Sequence, residues 1–147
     1  MASNLYQSGL KLILDGTVDL LTDTIKVVLV NASYTPDKDH DFLSDVNTYE
    51  LSGTGYAGGF AGSGRKTLAS KTVGKNDSTN VANFDAADSS WTAINAGTAA
   101  YAIIGKEVTN DAASPIFACI DLNPDVATNG GDYSIAWDAA GLFTFGA

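Results

Sequence analysis

Seventeen acidic and eight basic side chains give this 147-residue chain a formal charge of −9 at pH 7. That charge repels phosphate backbones and anionic lipid, and no stretch clusters lysine and arginine, so the composition argues against nucleic-acid and membrane partners. The length suits a single domain over residues 1–147, which buries roughly 70% of its unfolded surface without a disulfide or metal staple.

The N-terminal segment, residues 1–16, reads as a short helix or arm. Leu5, Tyr6, Gly9, Leu12 and Ile13 fall close to helical spacing, with Ser3 as a candidate N-cap and Gly16 as a stop; a strand over Leu10 to Leu14 is the competing reading. Lys11 and Asp15 interrupt the only apolar stretch there, so no secretory signal is expected, and no run has the length to span a bilayer. Thr17 to Leu20 reads as a short strand.

The chain is organised around Asp23 to Asp37. Ile25, Val27, Val28, Leu29 and Val30 follow one another almost without interruption, the mark of a strand covered on both faces. Asn31, Ser33 and Pro36 end it, since these residues favour turns over ladder pairing. Phe42, Leu43 and Val46 suggest a helical turn, and Tyr49 to Leu51 a short extended piece. Gly53, Gly55, Gly58, Gly59, Gly62 and Gly64, with Tyr56 and Phe60 among them, read as a flexible surface loop.

From Arg65 onward the text is β throughout. Strand character runs over Arg65 to Val73, a turn over Gly74 to Thr79, then strands at Val81 to Phe84, at Trp91, at Thr98 to Ile104, at Ile116 to Leu122, at Tyr133 to Trp137 and at Leu142 to Phe145. Turn signals about every 8–12 residues predict an all-β fold, an antiparallel β-sandwich or a jelly-roll or barrel-like arrangement.

Motifs that carry chemistry are weak. Gly53 to Gly58 matches G-x-G-x-x-G, and Gly59 to Thr67 is near a P-loop with Arg65 in place of lysine. Neither lies between a strand and a helix, so a glycine-rich loop is the better reading. Asp37, Asp39 and Asp41 alternate like the start of an EF-hand loop, but Phe42 and Thr48 stand where glycine and glutamate are required; a solvated acidic turn is the default, with a looser calcium site the alternative. His40 is the only histidine and has no nucleophile elbow or further zinc ligands to work with. Cys119, the single cysteine, sits in the apolar run Pro115 to Leu122 and reads as a buried small hydrophobe. Trp91, Tyr101, Tyr133, Trp137, Phe143 and Phe145 could form a sugar platform, yet aromatics on sandwich strands more often pack in the core. No catalytic, cofactor-binding or metal-ligating residue is nominated, and no enzyme activity or cofactor is expected.

Several pieces taken in order carry a resemblance. They are Leu5-Tyr6 with Gly16, Asp19 to Val30, Ser33-Tyr34-Thr35-Pro36, His40 to Val46, Phe84 to Asp88, Ser114-Pro115-Ile116 with Ile120-Asp121, Asn129 to Asp132, Trp137-Asp138, and Gly141-Leu142-Phe143. Together they resemble a family of small structural proteins encoded in the virion-gene regions of tailed bacteriophages and prophages. The glycine-rich loop and Arg65 to Ser78 match it poorly.

The resemblance implies a particle component assembled in the host bacterial cytoplasm and resident in the virion. It suggests a capsid decoration (cement) protein that binds the major capsid protein or other virion proteins and self-associates, with a trimer as the first candidate. The N-terminal segment and the glycine loop are then candidate arms that order on contact with neighbours. A tail or fibre component that contacts host glycans through exposed Trp91 or Trp137 is the alternative. A cell-encoded carbohydrate-binding or hydrolytic β domain stands third.

Overall fold

The computed structural model describes residues 1–146, and the strands among them form three antiparallel sheets. The largest has the order β1-β8-β7-β2-β3, built from Ser3–Leu5, Ile116–Ala127, Thr98–Lys106, Ile25–Val30 and Lys66–Thr67. A three-stranded sheet, β10-β5-β4, is formed by Phe143–Gly146, Val81–Asp85 and Thr72–Asn76. Ser89–Trp91 and Tyr133–Ile135 make a two-stranded ribbon, β6-β9. One helix, α1 over Gln7–Leu14, and short 3-10 turns at Leu43–Asp45, Asn47–Tyr49 and Asp111–Ala113 complete the description. The result is a mostly β sandwich with a short N-terminal helix. The barrel option is not realised, because the large sheet stays open, with β1 and β3 as its two edges.

The β-branched run behaves as its composition demands. Val27, Val28, Leu29 and Val30 are fully buried, and alternation of side chains along the strand sends them into two different cores. Ile25, Val27 and Leu29 join Ala102 and Ile104 of β7 and Ala118 and Ile120 of β8 in the larger core. Val28 and Val30 join Ile103 and Cys119 in the smaller one on the opposite face. Registry explains the match: Val27 lies opposite Ile104 and Leu29 opposite Ala102, while Ile104 lies opposite Ala118 and Ala102 opposite Ile120. β2 is doubly covered, as its sequence requires, but the geometric middle of the sheet is β7.

The two smaller sheets close the larger core, contributing Phe84, Trp91, Ile135 and Phe143. Irregular chain closes the smaller one, through Tyr6, Tyr34, Leu43 and Val46. The helical turn expected at Phe42 to Val46 is thus present as 3-10 structure, with the Asp45 carboxylate accepting hydrogen bonds from the Asp41 and Phe42 N–H groups, both at 2.9 Å.

Several local expectations need correction. Ser3 does not cap the helix: it lies in β1, the N-cap is Tyr6, and no side chain caps that end. The first residues are not a free arm, because Ser3, Asn4 and Leu5 pair with Ile120, Cys119 and Ala118, and Tyr6 is buried. Thr17 to Leu20 is irregular chain running into a turn at Leu20 to Thr22 and not a strand, with the Asp19 carboxylate accepting from the Leu21 and Thr22 N–H groups at 2.9 and 3.3 Å. Local carboxylate-to-backbone bonding of this kind competes with a ladder and wins where no partner strand lies alongside. Strand character at Arg65 to Val73 splits into β3 and β4, and β4 runs through Gly74 to Asn76 where a turn was expected. Asn76 closes the shorter turn that follows, accepting from Ser78 and Thr79.

α1 lies close against β8 because Gly9 has no side chain. A Cβ there would fall 2.1 Å from the Ile116 carbonyl oxygen and 2.8 Å from the Phe117 Cα, both backbone atoms that cannot step aside. Gly9→Ala therefore separates helix propensity from packing. Alanine favours a helix over glycine by about 1 kcal/mol, yet forcing the helix off the strand costs about 1–3 kcal/mol. We expect a net loss of stability in urea titration; a stabilised variant would show that the contact has slack.

Candidate functional site

A surface cleft of about 600 Å³ opens between the 31–41 segment and the 3-10 turns. Tyr34, His40 and Tyr49 line it together with Asp37, Asp39 and Asp45. Tyr34 is the pivot. Its ring packs 5.4 Å from Tyr49, 5.7 Å from His40 and 6.0 Å edge-on from Tyr101, centroid to centroid. Its hydroxyl lies 2.7 Å from the Tyr6 hydroxyl and 2.9 Å from His40 Nδ1. A hydrogen-bonded line thus runs from the buried N-cap residue of α1 to the cleft wall. Burial pushes the Tyr34 phenol up to about 12 and the Tyr6 phenol higher still, so neither ionises near neutrality. His40 has a hydrogen-bonded partner in this line and no acid–nucleophile arrangement around it.

The alternating aspartates of the same segment do not converge. Asp37 Oδ1 accepts from the Asp39 N–H at 3.0 Å, a local turn bond, and Asp39 and Asp41 are exposed. Among the described residues no group of three or more His, Cys, Asp or Glu side chains is gathered as a metal site. The Asp37, Asp39 and Asp41 triplet is a solvated, internally bonded turn.

The densest electrostatic site is centred on Arg65, the chain's only arginine. Its side chain has no exposed surface, and three carboxylates surround it. Nε and Nη2 donate to the two oxygens of Glu50 at 2.9 and 2.7 Å. Nη1 and Nη2 donate to the two oxygens of Asp111 at 2.7 and 3.1 Å, and Nη1 also donates to Glu107 Oε1 at 3.0 Å. Every N–H of the guanidinium is engaged in the planar fork geometry that lysine cannot reproduce. Asn47 Nδ2 donates to Asp111 at 3.1 Å, and Lys26 Nζ stands 3.8 Å from Glu107.

The same Glu50 reaches into the glycine-rich loop. It accepts from the Gly59 N–H at 3.0 Å and from the Tyr56 hydroxyl at 3.2 Å, while that hydroxyl accepts from the Leu29 N–H of β2 at 2.9 Å. At the loop's far end the Gly64 carbonyl accepts from Trp91 Nε1 at 2.6 Å. The loop is on the surface as expected, with Ala57, Phe60 and Ser63 exposed, but its anchors tie it to the core; it is not the loose arm its glycines suggested. The glycines serve close approach. A Cβ on Gly64 would fall 2.4 Å from the Tyr56 ring, and Gly55 has φ +73°.

Burial alone would lower the Arg65 pKa, but its bonds to Glu50 and Asp111 outweigh burial and hold it above the ordinary arginine value. Burial likewise works against ionised Asp111, and the Arg65 and Asn47 hydrogen bonds overcome it, so its pKa is lowered. With all donors used, Arg65 has none to offer a phosphate or carboxylate ligand. The arrangement braces three chain segments, 47–50, 53–65 and 107–111.

The remaining candidates resolve as packing. Cys119 is buried and its thiol is pushed up to about 12 by that burial, so it is no thiolate nucleophile. Trp91 is 1% exposed and Trp137 8%; Trp91 stacks on Tyr133 at 5.8 Å. Neither tryptophan offers a face for sugar stacking. Comparison of the chain with protein-family models, with curated proteins and with solved structures finds no match.

Two outcomes follow from the arginine cluster. Arg65→Met leaves Glu50, Glu107 and Asp111 together without their cation; we expect a loss of about 3–5 kcal/mol in denaturant titration, and Arg65→Lys to recover only part of it. A loss below about 1 kcal/mol would mean that water already screens the cluster. The second concerns pH. Asp111 has a lowered folded pKa, so its contribution to stability is present above its unfolded value near 3.9 and is lost as pH falls through the folded one. Asp111→Asn should be less stable than wild type at pH 6, and the gap should narrow progressively below about pH 4. A gap that stays constant down to pH 2 would remove the ionic explanation.

Proposed function

We propose that this chain is a bacteriophage virion structural protein, most specifically a capsid decoration protein that binds the outer shell and stabilises the head. The observation that carries the reading is how the structure uses its residues. Aromatic and β-branched side chains go into two cores on either face of one sheet, and the one buried cation is saturated by internal carboxylates. What faces outward is a net acidic surface with a few exposed apolar side chains, and that suits a protein whose work is to abut neighbours. A charge of −9 also suits an outer surface better than one facing packaged DNA.

On this reading the partners are the major capsid protein or other virion proteins, together with further copies of the chain in a symmetric oligomer. It calls for no catalysis and no cofactor. The tail-fibre alternative depended on exposed tryptophans, and their burial removes its motivation.

Quantitative mass spectrometry of purified particles tests the assignment. A decoration protein is present in many copies, in a number set by the symmetry of the shell, and particles lacking it should lose integrity at lower temperature or lower salt than wild type. A few copies confined to the tail, or deletion particles as heat-tolerant as wild type, would rule the decoration role out.

A further inference from the structure

The three-stranded sheet ends on a strand that nothing covers. β4 is bonded to β5 on one side only, all its residues from Thr72 to Asn76 are exposed, and among the described residues no isolated bridge reaches its outer edge. The free N–H and C=O groups of such an edge are a template for another strand. Beside it lies an apolar groove of about 380 Å³, lined by Ile13, Leu20, Leu21, Val73 and Phe145. Val73 and Leu21 are 55% and 49% exposed there, and the groove brings the two together in one apolar patch.

We propose that β4 is the docking edge for a second copy of this chain. The two β4 strands pair antiparallel about a two-fold axis at Gly74, and the two three-stranded sheets become one continuous sheet. The strand's own sequence selects this register. With Gly74 facing its own copy, Lys71 meets Asp77, Thr72 meets Asn76, and Val73 meets the aliphatic stem of Lys75. Within one chain Lys71 Nζ donates to the Asp23 carbonyl and Asp77 pairs with Lys75 at an exposed site, so docking exchanges these contacts for the one across the axis. Opposite residues in an antiparallel pair share a face, so these are side-chain contacts and not only backbone ones.

Sliding by two residues either way sets lysine against lysine. One direction opposes Lys75 to Lys75, the other Lys71 to Lys75. Like charges directly opposite are destabilising. Lysines commonly guard a free edge against pairing; here they guard against the shifted registers, and Asp77 converts the guard into a match in one.

The face fits as well as the edge. Val73 lies opposite Phe84, which lies opposite Phe143, so Val73 is on the sheet face that carries those two core aromatics. A Lys75 stem from the second copy would cover it and lengthen the apolar groove across the axis. The contact is isologous, the commonest form of self-association, and it does not depend on the virion assignment. A ladder this short buries less than the roughly 1,600 Å² of a standard interface, so the dimer should be weak, with a dissociation constant in roughly the micromolar range or above.

Sedimentation velocity of the full chain over a concentration series, with charge-swapped variants, tests this directly. Wild type should show a reversible dimer. Asp77→Lys, which places lysine opposite Lys71, should weaken it by roughly tenfold over the two symmetric pairs. Lys71→Asp should do the same, and the two changes together should restore it. Cysteine cross-linking reads the register without relying on either charge variant. Gly74→Cys is tolerable because its Cβ meets only the end of the Asn83 side chain, at 2.9 Å. Mild oxidation should link Gly74→Cys to its own copy, and should not link Thr72→Cys, which faces Asn76. A chain that stays monomeric at every concentration would overturn the proposal. So would a dimer indifferent to the charge swaps, or Thr72→Cys linking as readily as Gly74→Cys.

Discussion

Everything in this molecule depends on one sheet being covered twice. Three adjacent strands, β2, β7 and β8, send alternate side chains into opposite cores, and neither core closes without the other. Where the three strands pair side by side polar side chains have almost no place, because each face must exclude water; beyond Leu122, β8 carries Asn123 and Asp125 exposed. Lys26 is the exception on β2, and it lies near the edge where Glu107 can reach it. This constraint fixes register tightly, since a slip by one residue would exchange the residues of the two cores. It also explains why irregular chain around Tyr34 and Leu43 is as well ordered in its packing as the strands. That chain forms the lid of the smaller core.

The arginine cluster solves a second problem. The loops at residues 47–50, 53–65 and 107–111 meet outside the named strands, with only isolated bridges such as Val30 with Glu50 and Thr54 with Asn95 to help hold them, and glycine makes the middle one costly to order. A saturated guanidinium gives them a common anchor. Pairs of this type are expensive to desolvate, and hydrophobic replacements are often as stable. What the charges add is directional: the fork admits one arrangement of Glu50 and Asp111, and with it one path for the loop.

The sheet was legible because its signal is local. Ile25 to Val30, Thr98 to Ile104 and Ile116 to Leu122 are mostly apolar runs between turn formers, the first of them β-branched, and each appears as a strand that covers the expected residues. Signals that depend on distant partners were not legible. Gly74 to Asn76 is polar and opens on glycine, so it reads as part of a turn; it is strand because Val81–Asp85 lies alongside it. The glycine-rich loop reads as loose because its anchors, Glu50 and Trp91, come from other parts of the chain. In the sequence Arg65 reads only as the start of a strand and as the wrong residue for a P-loop. Its being the one arginine among lysines was the available hint, since bidentate, buried pairing is the task for which the two differ most.

The contrast between the braced loop and the bare hairpin sets where this chain yields to attack. Opening the Gly53 to Gly64 segment strips Glu50 and Arg65 of partners 15 residues apart in sequence and strands charge away from water. Among the described residues the tip at 77–80 is held by its own turn bonds and an exposed Lys75–Asp77 ion pair. Brief fraying there costs little. A protease that scans for easy openings would be turned away by the stretch richest in glycine and would cut instead at the ordinary-looking bend beyond β4.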